Sequence, residues 1–569
     1  MSHWSKSGKK RYIICLLIIS AIFIVGGFIW HDQTISEAPR FSAESGFYDE
    51  QFYLEMDSEY GSKIYYTLDG SIPDENDFLY KSPILVENAT LNKNTISMRT
   101  DTSTGFYTDL IMEKETKDED PRYVRPNFNV DKCTIIRAVS IAENGLRSQE
   151  VCASYFVGIS PEEYGGCKMI SLITEADNLF DSERGIYVTG NVFKTALEED
   201  GMGNRWMFWP ANYRQKGREW EREAIFHFFD QQGNMELSKK GGIRIHGGVS
   251  RGTLPKSLNL YSRTEYDGES TFGLEMFENA YKPKRITLSA GGDQLITQFN
   301  DYIMTECVSN LNIATMTHVP YVLFINGEYW GFYWLNEKYD EKYLAYYYGV
   351  DEDNVILIKN GKLEAGQEGE DELFDELESY ISSLDMSKEE NYTKACEIMD
   401  IDSYIDYNAI MLYIARRDDW PFTNYAIWKT RDVKTDTYSD GKWRWLLFDC
   451  NSLCMGNEEN GPEHNTLEYM LDEEMVRISP MFASFWENEG FREKFKERLF
   501  YVADYCFEAN KMSAMIDEYS HNMIPILTKS WERFYGQERN VLGEFYNYMQ
   551  YHRLFFEGRR AVVESWFNT

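Results

Sequence analysis

Positive charge is scarce: 58 lysines and arginines stand against 93 aspartates and glutamates, a formal net charge of −35. Polyanions are held by clustered basic residues, so this balance excludes a nucleic acid as the main partner. Cysteine is thin as well. Nine are scattered over 569 residues with no CxxC pair, which disfavours a zinc ribbon and gives a disulfide framework little support. Cys133 and Cys152, in the strand-like runs CTIIRAVSI and EVCASYFV, could oppose each other as one disulfide. Packed free thiols are the equal alternative. No GxGxxG loop is recognisable.

What is abundant is aromatic surface: 15% of the chain, with 40 tyrosines and 14 tryptophans. The length suffices for two to four domains with large cores, and the aromatic content implies aromatic-packed domains and stacking surfaces. One long apolar run occurs, at residues 12–30, behind Lys6, Lys9, Lys10 and Arg11. It is long enough to span a bilayer, at about 20 residues of 1.5 Å each, and it lacks a small-x-small cleavage site. The expectation is an uncleaved transmembrane anchor: a basic cytoplasmic tail at 1–11, the helix at 12–30, a polar linker at 31–45 and the remainder outside the plasma membrane.

Short strand-like runs follow, punctuated by turns such as Asp69-Gly70 ahead of Pro73, and predict an antiparallel β-sandwich over residues 46–158. The stretch YYTLDGSIP resembles the chitobiase-type, fibronectin-III-like sandwich, which implies a spacer or ligand-presenting module. From residue 167 strands with glycine-rich turns resume. In GGIRIHGGVSRGTLPKSLNLYSR, Gly247, Gly248 and Ser250 form an amide-rich turn and Lys256 opens the next strand. Such amides and a following lysine can face phosphate oxygens; the bland reading is a β-turn and an exposed strand lysine. Asn326-Gly327 predicts a hairpin between two hydrophobic strands, and Glu337 at the end of the second either faces a nucleotide or caps the exit. Beyond residue 456, apolar positions three and four apart predict a helical lobe.

The best candidate chemistry lies at residues 416–456. Asp419 precedes Asn424 by five positions, the Asp-x4-Asn spacing with which protein kinases place a catalytic base and a magnesium-binding amide on one loop. The run WRWLLF ends at Asp449, with Asn451 two further on. Magnesium takes hard oxygen ligands, usually one or two carboxylates plus water and phosphate oxygens, which Asp449 and Asn424 can supply. The competing reading has Asp418 and Asp419 capping a helix, and Asp449 and Asn451 closing a strand through turn hydrogen bonds.

Taken in order, IRIHGG-x-SRG-x4-K, VLFINGEYWGFYWLNEKYD, RRDDWPFTNYAIWK, WRWLLFDCNSLCMG, GFREKFKERL and FFEGRRAVV resemble the CotH spore-coat kinase family over about 400 residues. The resemblance implies an α+β fold: an atypical protein-kinase-like domain at 167–569 with a helical C-terminal lobe. It also implies ATP- and Mg²⁺-dependent phosphorylation of protein Ser or Thr, with Mn²⁺ as an alternative metal. By position it makes Asp419 the catalytic Asp, Lys256 the phosphate-contacting lysine, Asp449 the main metal ligand and Asn424 a supporting one. Arg244, Gly247 and Ser250 match the family's Arg/Gly-Ser turn. Asn451 departs from the usual Asp-x-Asp, and an Arg directly before the base is replaced by Asp418. Two other readings compete: a non-catalytic surface protein that binds wall glycan or a protein partner, and a glycoside hydrolase using Asp419 and Asp449 as paired carboxylates.

Overall fold

The computed structural model describes residues 36–99, 125–200, 210–277, 279–292, 296–416, 420–421, 423–450 and 461–568. The expected sandwich is there. Strands β1 (Gly46–Tyr48), β2 (Lys63–Thr67), β3 (Phe78–Leu79), β4 (Thr134–Ile141) and β5 (Val151–Val157) form one sheet in the order β1-β5-β4-β2-β3. Short ladders, Arg40–Phe41 on Met56–Asp57 and Phe52–Leu54 on Ile84–Val86, make the second layer. Alternation along the strands sends Ile64, Ile136, Ala138, Ala153 and Tyr155 into a common core with Leu54 and Val86.

Seven further strands close into a barrel: β6 (Lys168–Ile173), β7 (Arg222–Phe229), β8 (Met235–Ile245), β9 (Leu258–Tyr261), β10 (Arg285–Ser289), β11 (His318–Ile325) and β12 (Glu328–Asn336). Their order is β6-β7-β8-β9-β10-β12-β11, and a parallel β11–β6 ladder completes the ring. The predicted hairpin joins β11 to β12, with Asn326 at φ 45° and Gly327 at φ 85°, both left-handed as a two-residue hairpin turn requires. The sandwich docks here. Gly70, in its Asp-Gly turn, packs so closely on Asn326 that a Cβ would lie 2.7 Å from that side chain. Buried Glu328 accepts the Thr95 N–H at 2.5 Å and the Ser97 N–H at 2.7 Å, so a charged hydrogen-bond acceptor satisfies the backbone at the seam.

Beyond the barrel, α1 (Asn300–Val308) and α2 (Glu341–Tyr348) lead to a four-stranded antiparallel sheet ordered β14-β13-β15-β16. Its members are β13 (Val355–Lys359), β14 (Lys362–Ala365), β15 (Ala426–Thr430) and β16 (Arg444–Leu446). The helices are α3 (Leu373–Ser383), the almost wholly buried α4 (Ile401–Tyr413) against β16, α5 (Glu489–Tyr501) against α4, α6 (Ala509–Tyr535) against barrel strand β12, and α7 (Val541–Ser565) against α6. The α+β class holds.

Two expectations are corrected. Among the described residues no helix is long and apolar enough to cross a membrane. The longest, α6 and α7, carry charged positions such as Lys511, Asp517, Arg553 and Glu557 through their length. A transmembrane helix and a single-pass plasma-membrane location therefore find no support; residues 12–30, on which they were placed, lie outside the described residues. Nor do Cys133 and Cys152 pair. On the β4–β5 ladder Cys152 faces Arg137, four residues from Cys133, both thiols are free, and burial pushes each up to about 12.

Buried His227 in the sandwich–barrel seam, buried His552 and half-buried His318 are each lowered to about 4 by desolvation. Unfolded histidine titrates near 6.5, so between about pH 6.5 and 4 the unfolded chain binds more protons, and stability falls as pH falls. Melting followed from pH 7 to pH 5 should show a declining Tm, with a shallower decline in His227→Gln; a Tm flat across that range would contradict the burial of these rings.

Candidate functional site

The site is built where β16 runs out. The Leu447 N–H donates to the Ala314 carbonyl at 2.9 Å, and the Tyr339 hydroxyl donates toward both the Leu447 carbonyl (2.7 Å) and the Ala314 carbonyl (3.0 Å). The strand end is thereby pinned between α1 and α2. Asp449 then takes φ 54° and Asn424 φ 57°, left-handed conformations that Asp and Asn tolerate better than most residues. Buried Arg416, at the exit of α4, donates to the Asp449 carbonyl. The Cys450 N–H donates to Asp301 of α1 at 2.7 Å. Burial raises Asp301, while Arg416 and that N–H pull the other way.

Cations converge on the same place. Lys359, the last residue of β13, sets its Nζ 3.5 Å from the centroid of the Phe448 ring, and Asp449 and Glu364 help keep it charged against the burial that lowers its pKa. Lys338, just past β12, is held well below the usual lysine range by burial and then by Lys359 and Arg285. Arg285 of β10 reaches Glu364 at 3.5 Å. His246, after β8, is pushed well below the ordinary histidine value by burial and then by Lys338, Lys359, Arg251 and Arg285. All four side chains are half-buried. They neighbour one another where barrel strands β8, β10 and β12 and strand β13 of the four-stranded sheet bring them.

The glycine turn stands at the edge of the barrel. Gly247 has φ 108°, and a Cβ there would lie 2.4 Å from the Ser250 hydroxyl, so glycine is required. Arg251 Nε donates to the Gly247 carbonyl at 2.7 Å. From beneath, Lys256 donates to the carbonyls of Arg251 (2.6 Å) and Thr253 (3.2 Å), with its Nζ 3.9 Å from the Tyr213 ring centroid. Lys256 is only 2% exposed.

Residues 243–563, more than half of the chain, match the family model described as CotH kinase protein, and residues 54–155 match the Fn3-associated family. The chain belongs to the CotH kinase family. No curated protein matches it. The CotH match begins inside β8, yet the barrel closes only with β6 and β7, so the structural unit is larger than the matched segment.

In this CotH domain the structure brings Asp449 beside Lys359, and Lys359 beside Lys338, Arg285 and His246; of these, sequence reasoning named only Asp449. Lys256 shapes the glycine turn. Arg244 stacks on Tyr261, at 4.3 Å from the guanidinium carbon to the ring centroid, and donates to the Gly217 carbonyl at 3.1 Å. Gly248 is exposed on the turn and Ser250 lies under Gly247. Glu337 accepts the Tyr347 hydroxyl (2.5 Å) and the Thr317 N–H (2.8 Å), and burial raises it. Asp419 and Asn451 lie outside the described residues. Alternation along a strand was the available signal for Lys338, because Glu337 and Lys338 must face opposite ways.

Among the described residues no group of three or more His, Cys, Asp or Glu converges on a metal position. Magnesium does not need one, since it keeps waters and shares phosphate oxygens with one or two protein ligands. The hard oxygens of Asp449 and Asn424 fit that pattern.

Like charges held half-buried oppose folding. Lys338→Met should raise stability by about 1 kcal/mol while weakening nucleotide binding at least tenfold; a variant that is destabilised, or that binds unchanged, would show that Lys338 serves the fold instead.

Proposed function

We propose that the chain is an ATP- and Mg²⁺-dependent kinase that phosphorylates Ser or Thr of a protein acceptor. The observation that carries this reading is the neighbouring set of Lys338, Lys359 and Arg285, with the His246 imidazole beside them and Asp449 next to Lys359, in a strongly acidic chain. Half-buried cations with two neighbouring carboxylates suit a polyphosphate: desolvated point charges and a guanidinium bind phosphate oxygens strongly.

Asp449 and Asn424 would hold Mg²⁺, which supplies neutralisation of phosphate charge when bound. Lys359 and Lys338 would orient the phosphoryl chain, and Arg285 would brace it from the barrel side. Asp419 would align the acceptor hydroxyl and take its proton as the oxygen attacks the γ-phosphorus, while the bond from that phosphorus to the ADP oxygen breaks. Arg416 fixes the backbone carbonyl of Asp449, so the carboxylate is presented without local reorganisation. The glycine turn over Lys256, with Arg244, Gly247, Gly248 and Ser250, would cover the nucleotide from the barrel. The second metal contact proposed for Asn451 adjoins Asp449 in sequence.

Asp419→Asn should abolish transfer of labelled γ-phosphate to protein Ser or Thr while leaving circular dichroism and Tm intact. Asp449→Ala should lose metal-dependent ATP binding. Normal phosphorylation by the Asp419 variant would overturn the assignment of the base.

A further inference from the structure

A second cavity, of about 260 Å³, opens on the helical side of the four-stranded sheet. Its walls are aromatic: Phe374 of α3, Tyr404 of α4, Trp420, Tyr425 and Trp445 of β16. The rings brace one another, with centroids 4.7 Å apart for Tyr404 and Trp445 and 5.5 Å for Phe374 and Tyr425. One carboxyl, that of Glu378 on α3, stands among them. The Ser479 hydroxyl is its hydrogen-bonding neighbour, and Asp375, one turn earlier on the same helix, repels it. Among the described residues no lysine, arginine or histidine pairs with Glu378. Burial, and then Asp375, push this carboxyl up to about 7, so near neutral pH it is ready to ionise against an incoming positive charge.

A carboxylate surrounded by aromatic faces is complementary to an organic cation: the rings attract it through their quadrupoles and the carboxylate supplies the opposite charge. A neutral apolar guest would leave the carboxyl desolvated with a single hydroxyl partner. A phosphate would meet Glu378 and Asp375 with no cation to offset them.

We infer that this aromatic cavity is a binding site for an organic ammonium or guanidinium group, with Glu378 as its counter-ion. Trp420, Pro421 and Tyr425 line it, and they flank Asn424 in sequence, so an occupant sits beside the loop that the kinase reading assigns to acceptor and metal. The group can come from a basic side chain of a polypeptide or from a free amine.

The test titrates the full chain by calorimetry at pH 8 with N-acetyl-lysine N-methylamide, its neutral norleucine counterpart and 1,5-diaminopentane. The lysine derivative should bind at least tenfold more tightly than norleucine, and Glu378→Gln should erase that difference. Tyr425→Leu, which removes a ring at a partly exposed position and keeps the carboxyl, should weaken amine binding severalfold. Tighter binding of the lysine derivative than of the diamine assigns a polypeptide side chain; the reverse assigns a free amine. Equal binding of lysine and norleucine derivatives, unchanged binding by Glu378→Gln, or no binding of either cation overturns the site. ATP titration of the same samples separates the two readings, because retained nucleotide binding without amine binding removes this cavity alone, and amine binding without nucleotide binding removes the kinase assignment alone.

Discussion

Mutual repulsion of Lys338, Lys359 and Arg285, strong enough to help keep the neighbouring His246 neutral, is the constraint that the rest of the kinase domain has to meet. At an effective dielectric of about 20, two unit charges 4 Å apart interact by about 4 kcal/mol, and here Glu364 and Asp449 are the neighbouring carboxylates. Groups so placed would swing out to solvent if their backbones were free. They are not. Lys338 follows a β12 buried along its whole length, Lys359 ends a β13 paired on both sides, Arg285 opens a barrel strand, and Asp449 hangs from a strand end pinned by Tyr339 and Arg416. Rigid scaffolding of this kind holds the groups together against their repulsion.

Much of the architecture was legible in the sequence because it rests on local signals. The Asn326-Gly327 turn, the Asp69-Gly70 turn and the helical periodicity beyond residue 461 are each encoded by a few adjacent residues, and each appears where those signals put it. What local signals do not carry is which strands meet. Closure of the barrel depends on β6 pairing in parallel with β11, about 150 residues away. The offset between Cys133 and Cys152 depends on the register of β4 and β5, which the two sequence runs alone leave open.

The site was half legible. Asp449 and Asn424 were readable as candidates because each supplies a hard oxygen beside a strand end, and both take a left-handed backbone. Lys338 and Lys359 were not, because lysine at a strand end is ordinarily a solvated surface residue and their meeting depends on the approach of two separate sheets. Lys256 went the other way: its spacing from the glycine turn marked it as a phosphate ligand, yet its ammonium donates to the carbonyls of Arg251 and Thr253 and thus holds that turn. A lysine whose charge satisfies buried carbonyls looks the same in sequence as one that faces a ligand.

The most direct measurement is the reactivity of individual lysines toward amine acetylation at neutral pH, read by mass spectrometry with and without Mg²⁺-ATP. Lys338 and Lys359 have lowered pKa values from burial and should react readily in the free protein, then become protected by Mg²⁺-ATP and remain reactive with adenosine alone. Reactivity of both lysines that is indifferent to the nucleotide would contradict the placement of the phosphates beside them.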